Sequence, residues 1–393
     1  MLHTLDTGSF GIGGSYAPGF EPVRNAFFRN FRDFEEIGGA VAVYWKGIPV
    51  VDLWGGYRDP DRRVPWTADT LVCMMSVAKG VAATAIAILC DRGLIDLTAP
   101  MARYWPEFAQ NGKQDITVTQ ALSHLAGIPV TDAADEGDIY DYEAMADAIA
   151  RQCPLWEPGT TQVYHSATLG HLAGMLVRAV TGQSIGQFIR SEISGRLGAE
   201  YFIGLTPEEE SRCATMIPSA NNLVGASKRA AKESVAYRQW RALPANEDFN
   251  SHRWRAAEIP AVNGHGTARG VARIYGALAL GGTLDGVRLL RPESLSRMLV
   301  EQRGTDAANS DVGELDRMAI GFRLNSPPHR PMGPHMSTFG HSGAGGSQAF
   351  ADPDSEVGFC YCCNRMHDGR DIGMRALSLI ESTFAAIGDE RTA

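Results

Sequence analysis

The sequence predicts an α/β fold in which one sheet is assembled from both ends of the chain, with a mainly helical segment inserted between them. Three observations carry this reading. Strand-like runs lie at 38–56, and again at 320–324, 347–353 and 356–366. Between about 100 and 255 the pattern is helical, broken by Pro and Gly. The 393 residues are enough for roughly two domains. Residues 1–98 and 260–393 are therefore assigned to the part holding the sheet, and 99–259 to the inserted helical part.

The elements follow in order. Residues 21–36 place apolar side chains at helical spacing with charges opposite. Residues 38–59 read as a hairpin turning at Lys46-Gly47. Residues 75–92 are apolar on nearly every face, so they predict a helix buried all round, with Gly93 ending it. Helical stretches follow at TQALSHLAG, YEAMADAIARQ, SATLGHLAGMLVRAVTG and IGQFIRSEISGRLG. Residues 225–255 are polar and charged and read as a long excursion carrying Tyr237, Trp240 and Trp254. A helix at TARGVARIYGALALGG precedes the second group of strands, and a last helix is expected over 371–387.

Composition narrows the function. The net charge is -9, with 36 Lys and Arg against 45 Asp and Glu. No basic cluster with interleaved aromatics marks a nucleic-acid binder. No uninterrupted apolar stretch approaches the roughly 18 residues of a membrane span. The first residues lack the basic and apolar regions of a signal peptide. The seven cysteines are scattered without paired metal spacing, as expected of reduced thiols in a cytoplasmic protein. A homo-oligomer is compatible with this composition.

Three serines compete for nucleophilic chemistry. Gly182-Gln183-Ser184-Ile185-Gly186 spells G-x-S-x-G, but a helical segment precedes it where that motif needs a strand. Gly182 reads better as a helix C-cap and Ser184 as an N-cap. Ser342 in Gly340-His341-Ser342-Gly343 resembles such an elbow too, yet too little chain follows for its partners. Ser76-Val77-Ala78-Lys79 is the third context. Residues three apart share a helix face, which puts Lys79 beside Ser76. Burial disfavours the charged lysine and turns it toward a general base. A helix N-terminus also offers free N–H groups to an oxyanion. A plain reading competes: a capping serine with a snorkelling lysine.

Two further segments bear on this choice. In Val163-Tyr164-His165-Ser166, at the mouth of a helix, Tyr164 can reach the serine from the side opposite the lysine. A phenol partly ionised beside an ammonium would shuttle protons. A buried tyrosine anchoring a loop is the alternative. The small residues of Phe339-Gly340-His341-Ser342-Gly343-Ala344-Gly345-Gly346 let a strand edge approach a substrate and supply an oxyanion donor.

MMSVAKG (74–80), ITVTQALSHLAGI (116–128), WEPGTTQVYHS (156–166), NGHGTARGVARIYGAL (263–278), IGFRL (320–324) and FGHSGAGGSQAFADP (339–353) occur in one order across most of the chain. This ordered set resembles the family VIII carboxylesterases, relatives of class C β-lactamases and penicillin-binding proteins. The resemblance implies a β-lactamase-like fold, an antiparallel sheet flanked by helices with an inserted helical region. It implies Ser76 as nucleophile, Lys79 as base and Tyr164 as catalytic tyrosine. It implies Ser166 as the third position of Y-x-N/S, and His341, Ser342 and Gly343 at the K-T-G strand. The N–H groups of Ser76 and Ala344 would form the oxyanion hole.

Two departures from that pattern matter. His341 stands where the K-T-G lysine would, removing a cation that binds an antibiotic carboxylate. Ser166 replaces an asparagine and loses its amide. Both point from β-lactams toward small or short-chain esters, cleaved through an acyl-enzyme on Ser76 without metal or organic cofactor. The rival readings are a β-lactam or amide hydrolase or acyltransferase on the same scaffold, a non-catalytic ligand-binding relative, and a plain α/β-hydrolase using Ser184 or Ser342. The loops after 128 and over 225–255 are expected to frame the cleft or simply pack the surface. His265 is expected either to line the site or to make a turn.

Overall fold

The computed structural model describes residues 2–5, 9–219, 221–245, 249–306, 310, 316–368 and 372–392. The main sheet takes four strands from the first sixty residues: β1 (His3–Leu5), β2 (Gly13–Tyr16), β3 (Gly38–Trp45) and β4 (Ile48–Gly56). Five come from the last eighty: β5 (Arg317–Met318), β6 (Arg323–Leu324), β7 (Phe339–Ser342), β8 (Gln348–Asp352) and β9 (Val357–Cys363). The order is β1-β2-β4-β3-β9-β8-β7-β6-β5, and every neighbouring pair is antiparallel. The two ends of the chain meet at the β3–β9 pair, where Val41 faces Tyr361.

Seven helices carry the rest of the argument: α1 (Glu21–Asp33), α2 (Val77–Asp91), α3 (Val118–Leu122), α4 (Tyr142–Arg151), α5 (Thr168–Thr181), α6 (Ala268–Ala279) and α7 (Gly373–Thr392). Residue 371, where the last helix was expected to start, lies outside the described residues. The hairpin turns where the sequence predicts. Lys46 and Gly47 both take positive φ, 50° and 79°, the backbone of a two-residue turn matched to strand twist.

Period-two alternation sorts the sheet residues into two cores. Val41, Val43, Phe359 and Tyr361 pack with α1 and α7. Ala40, Ala42, Cys360 and Cys362 face the larger core that contains α2 and α6. Small side chains on this second face let a helix lie close. A Cβ on Gly358 would come within 2.2 Å of the Gly276 nitrogen in α6. The seven cysteines are free thiols, and four of them are buried.

Three details depart from the sequence reading. The strand expected over 320–324 is paired only at Arg323–Leu324, because Gly321 turns the chain at φ 75°. The first helix stops at Asp33, and Glu35 takes φ 53° before β3 begins. The helix in IGQFIRSEISGRLG widens to a π-turn over Arg190–Ser194. Among the described residues no helix is long and apolar enough to cross a membrane.

Candidate active site

α2 is buried all round, as its composition predicts. Ser76 occupies its N-cap position but makes no side-chain cap. The capping alternative therefore does not hold, and the hydroxyl is left for other partners. Ser184 behaves in the opposite way. It accepts from the Gln187 N–H in a capping box, and its hydroxyl donates to Glu258 at 2.6 Å. Gly182 closes the preceding helix at φ 72°. The literal G-x-S-x-G is a pair of helix caps. Ser342 lies within strand β7 rather than on an elbow.

Lys79 is completely buried. Its Nζ lies 3.3 Å from Ser76 Oγ, 2.8 Å from the Ser166 carbonyl and 3.0 Å from the Ala261 carbonyl. Among the described residues no carboxylate pairs with it. Burial, and secondarily the Arg323 cation, hold its pKa well below the ordinary lysine value. A neutral amine has two N–H groups for the two carbonyls and one lone pair for the remaining neighbour, the Ser76 hydroxyl. That is the arrangement of a general base.

Tyr164 hydrogen-bonds to Ser76, and its ring lies 4.8 Å below the Lys79 Nζ. Burial raises its pKa against the opposing pull of Arg323. The phenol is therefore neutral rather than partly ionised, which corrects the expectation from sequence. The His124 ring packs against it at 4.7 Å. His124 Nδ1 accepts the His165 N–H at 2.9 Å, and His165 Nε2 accepts from Ile128 N at 3.2 Å. These two imidazoles fasten the tyrosine segment to the turn after α3.

His341 is buried, with Nδ1 2.8 Å from the Ser342 carbonyl and Nε2 3.4 Å from the Tyr164 hydroxyl. A carbonyl can only accept, so Nδ1 carries the proton and Nε2 offers its lone pair to the phenol. Burial, Arg323 and Lys79 push its pKa well below the usual imidazole value. Ser342 accepts from Arg323 Nη1 at 2.5 Å. Gly343 abuts the residue two before Ser76: a Cβ there would come within 2.1 Å of the Met74 carbonyl oxygen. Among the described residues neither the Ser76 N–H nor the Ala344 N–H donates to a protein acceptor. Both are free to bind an oxyanion.

Ser166 gives its carbonyl to Lys79 and its hydroxyl to the Gln239 side-chain oxygen. The loops after 128 and over 225–255 pack on each other, through Arg238 Nε on Asp132 at 2.8 Å and Arg241 Nε on the Ala134 carbonyl at 3.0 Å. Residues 246–248 of the second loop lie outside the described residues. Trp240 and Trp254 are buried anchors. His265 makes no turn, and among the described residues no hydrogen bond joins it to Ser76, Lys79 or Tyr164. It lies buried in a two-residue strand paired with Val72–Cys73, and burial lowers its pKa to about 3.

Sequence reasoning missed two residues. Arg323 on β6 is buried, bound to Ser342, paired with Asp316 at 3.1 Å and 5.9 Å from the Tyr164 ring centre. A lone charge in the apolar run IGFRL was its only signal. Gln239 had none, being one polar residue in a polar excursion.

Known proteins resemble this chain over most of its length. Residues 27–381 match the family described as Beta-lactamase. The chain is 35% identical over 362 residues to Esterase/beta-lactamase LipL of Mycobacterium tuberculosis, covering 90% of this chain and 83% of that protein. A crystal structure of a family VIII carboxylesterase superposes with TM-score 0.86 at 40% identity, covering 95% of this chain and 99% of the other. EstA from Arthrobacter nitroguajacolicus Rue61a superposes with TM-score 0.84 at 31% identity, covering 95% and 98%. With its sheet joined from both chain ends and a serine, a lysine and a tyrosine in contact at its buried centre, the chain belongs to the Beta-lactamase family and is a serine hydrolase.

Proposed function

We propose that the protein is a carboxylesterase that hydrolyses small or short-chain esters through an acyl-enzyme on Ser76. The observation that carries this is the Lys79 amine, buried without a carboxylate, its two N–H groups spent on carbonyls and its third neighbour the Ser76 hydroxyl. Ser76 attacks the ester carbonyl while the Lys79 amine takes up its proton. The Ser76 and Ala344 N–H groups hold the tetrahedral oxyanion. The Tyr164 hydroxyl, between Ser76 and His341, protonates the departing alkoxide, and the Lys79 ammonium restores that proton. Water then follows the same route in reverse and frees the acid.

The ester reading over a β-lactam reading rests on position 341. A neutral, buried imidazole replaces a cation there, and Arg323 is turned to Ser342 and Asp316. The LipL and family VIII relatives support esters, while the LipL description also names a β-lactamase. Seven free thiols accord with a reducing compartment such as the cytoplasm. The test is mass-spectrometric mapping of a fluorophosphonate probe, run beside turnover of p-nitrophenyl butyrate and nitrocefin. Labelling at Ser76, loss of both labelling and turnover in Ser76→Ala, and preference for the butyrate are expected. Full esterase activity in Ser76→Ala would sink the assignment. Preference for nitrocefin would overturn the substrate class.

A further inference from the structure

Position 166 carries a hydroxyl and no amide of its own, yet an amide reaches it. Gln239 brings its side chain from a distant loop to the Ser166 hydroxyl, which donates to the Gln239 oxygen. Three interactions hold that loop in place. Arg238 is paired with Asp132, the Lys228 ammonium donates to the Leu243 carbonyl at 2.7 Å, and Trp240 is buried. The Gln239 backbone closes its short helix through an N–H to the Val235 carbonyl at 3.0 Å. Backbone and side-chain oxygen are thus both fixed. The side-chain NH2 has no acceptor among the described residues, and Gln239 itself is only half-buried.

This amide lies one residue from the nucleophile's base. Ser166 carries both contacts: its carbonyl binds the Lys79 amine nitrogen at 2.8 Å and its hydroxyl binds Gln239. A donor with two N–H groups, anchored at its other end on the residue that binds Lys79, can serve as a recognition element for an oxygen acceptor. We propose that Gln239, positioned by Ser166, is a specificity-determining residue that donates to a second carbonyl on the acyl part of the substrate. The substrate class is then acylamino or other carbonyl-bearing esters rather than plain alkanoates. A plain alkyl chain would leave this NH2 desolvated and unpaired, which a site built on such a donor disfavours. The inference rests on the ester-hydrolase reading and narrows it.

The test compares kcat/KM for the p-nitrophenyl esters of N-acetylglycine and butyric acid, in the wild type, Gln239→Met and Gln239→Glu. The readout is the ratio of the two values, which a general loss of folded or active protein leaves unmoved. In Gln239→Met the ratio is expected to fall about fivefold to tenfold, the worth of one neutral hydrogen bond. In Gln239→Glu, of the same size but with an acceptor in place of the donor, it falls at least as far. A ratio unchanged in both variants, with the wild type active, overturns this inference and leaves the esterase reading standing. A wild type inert toward both esters overturns the esterase reading, and this inference with it.

Discussion

Replacing Arg323 with methionine should move the whole pH–activity profile to higher pH. Lys79 Nζ lies 4.8 Å, and the Arg323 guanidinium carbon 5.9 Å, from the Tyr164 ring centre. The two cations are therefore at most about 11 Å apart, and their repulsion is at least about 1.5 kcal/mol at an effective dielectric of about 20. That corresponds to about one pKa unit. Neighbouring charges do not cancel it. Asp316 is shared between Arg323 at 3.1 Å and Arg330 at 2.8 Å, so the cluster goes from one net positive charge to none. The sign follows from the loss of a cation. Arg323 lowers the pKa of both Lys79 and Tyr164, and both rise without it. The acid limb of kcat/KM for p-nitrophenyl butyrate, set by neutralising Lys79, should shift up by about one unit. Arg323→Lys keeps the charge and should hold the limb in place. An unmoved acid limb in a folded, active Arg323→Met variant would refute the electrostatic role.

Other perturbations separate chemistry from stability. Lys79→Met should cost about 10²- to 10⁴-fold in kcat, while the denaturation midpoint holds or rises, since a buried amine gives way to an apolar chain of similar length. A large drop in midpoint would mark Lys79 as a structural strut. Ser184→Ala should lose about 1 kcal/mol of stability, the worth of a helix cap, and still label fully with fluorophosphonate; lost labelling would revive the G-x-S-x-G reading. Stability should also fall between pH 7 and pH 5. Burial lowers the pKa of His165 and His171 to about 4 and of His265 to about 3. The unfolded chain binds protons near 6.5 that the folded chain refuses, so stability is complete above that pH and drains away below it. Each imidazole accounts for roughly 2 kcal/mol over that interval. Urea midpoints equal at the two pH values would contradict this.

Much of the fold was legible because its signals are local. The hairpin at Lys46-Gly47, the all-round burial of α2 and the helix caps at Gly182 and Ser184 each follow from a few neighbouring residues. The cluster of Ser76, Lys79, Tyr164 and His341 was legible through motif order, although its members come from three distant parts of the chain. Arg323 and Gln239 were not. Each acts through a partner set by tertiary register: Arg323 through the β6–β7 pairing that puts it opposite Gly340, Gln239 through two loops docked on each other. No spacing within one segment encodes such a partner. The ionisation of Tyr164 was misread for the same reason. The sequence shows a cation near a phenol but not the complete burial that outweighs it.

Between Met74 and Lys79 the chain gathers three unfavourable features on one helix start. Met75, a buried non-glycine residue, sits at φ 47°, at a cost of order 1–3 kcal/mol. Ser76 stands at an N-cap without capping, whereas Thr117, Asp141, Ser184 and Thr267 all cap their helices. Lys79 is buried, and among the described residues no carboxylate pairs with it. None of these helps folding, so the surroundings must impose them. Met74 N–H is held by the Gly264 carbonyl at 2.9 Å, and Gly343, just after β7, packs so close to the Met74 carbonyl that no Cβ would fit between them. Relaxing any one would release the others. A helical φ at Met75 would turn Ser76 away from Tyr164, and a capping Ser76 would leave the Lys79 lone pair without a partner. Strain concentrated on six residues, and held by two segments distant in sequence, is what a preorganised nucleophile requires and what a merely structural helix start would have shed.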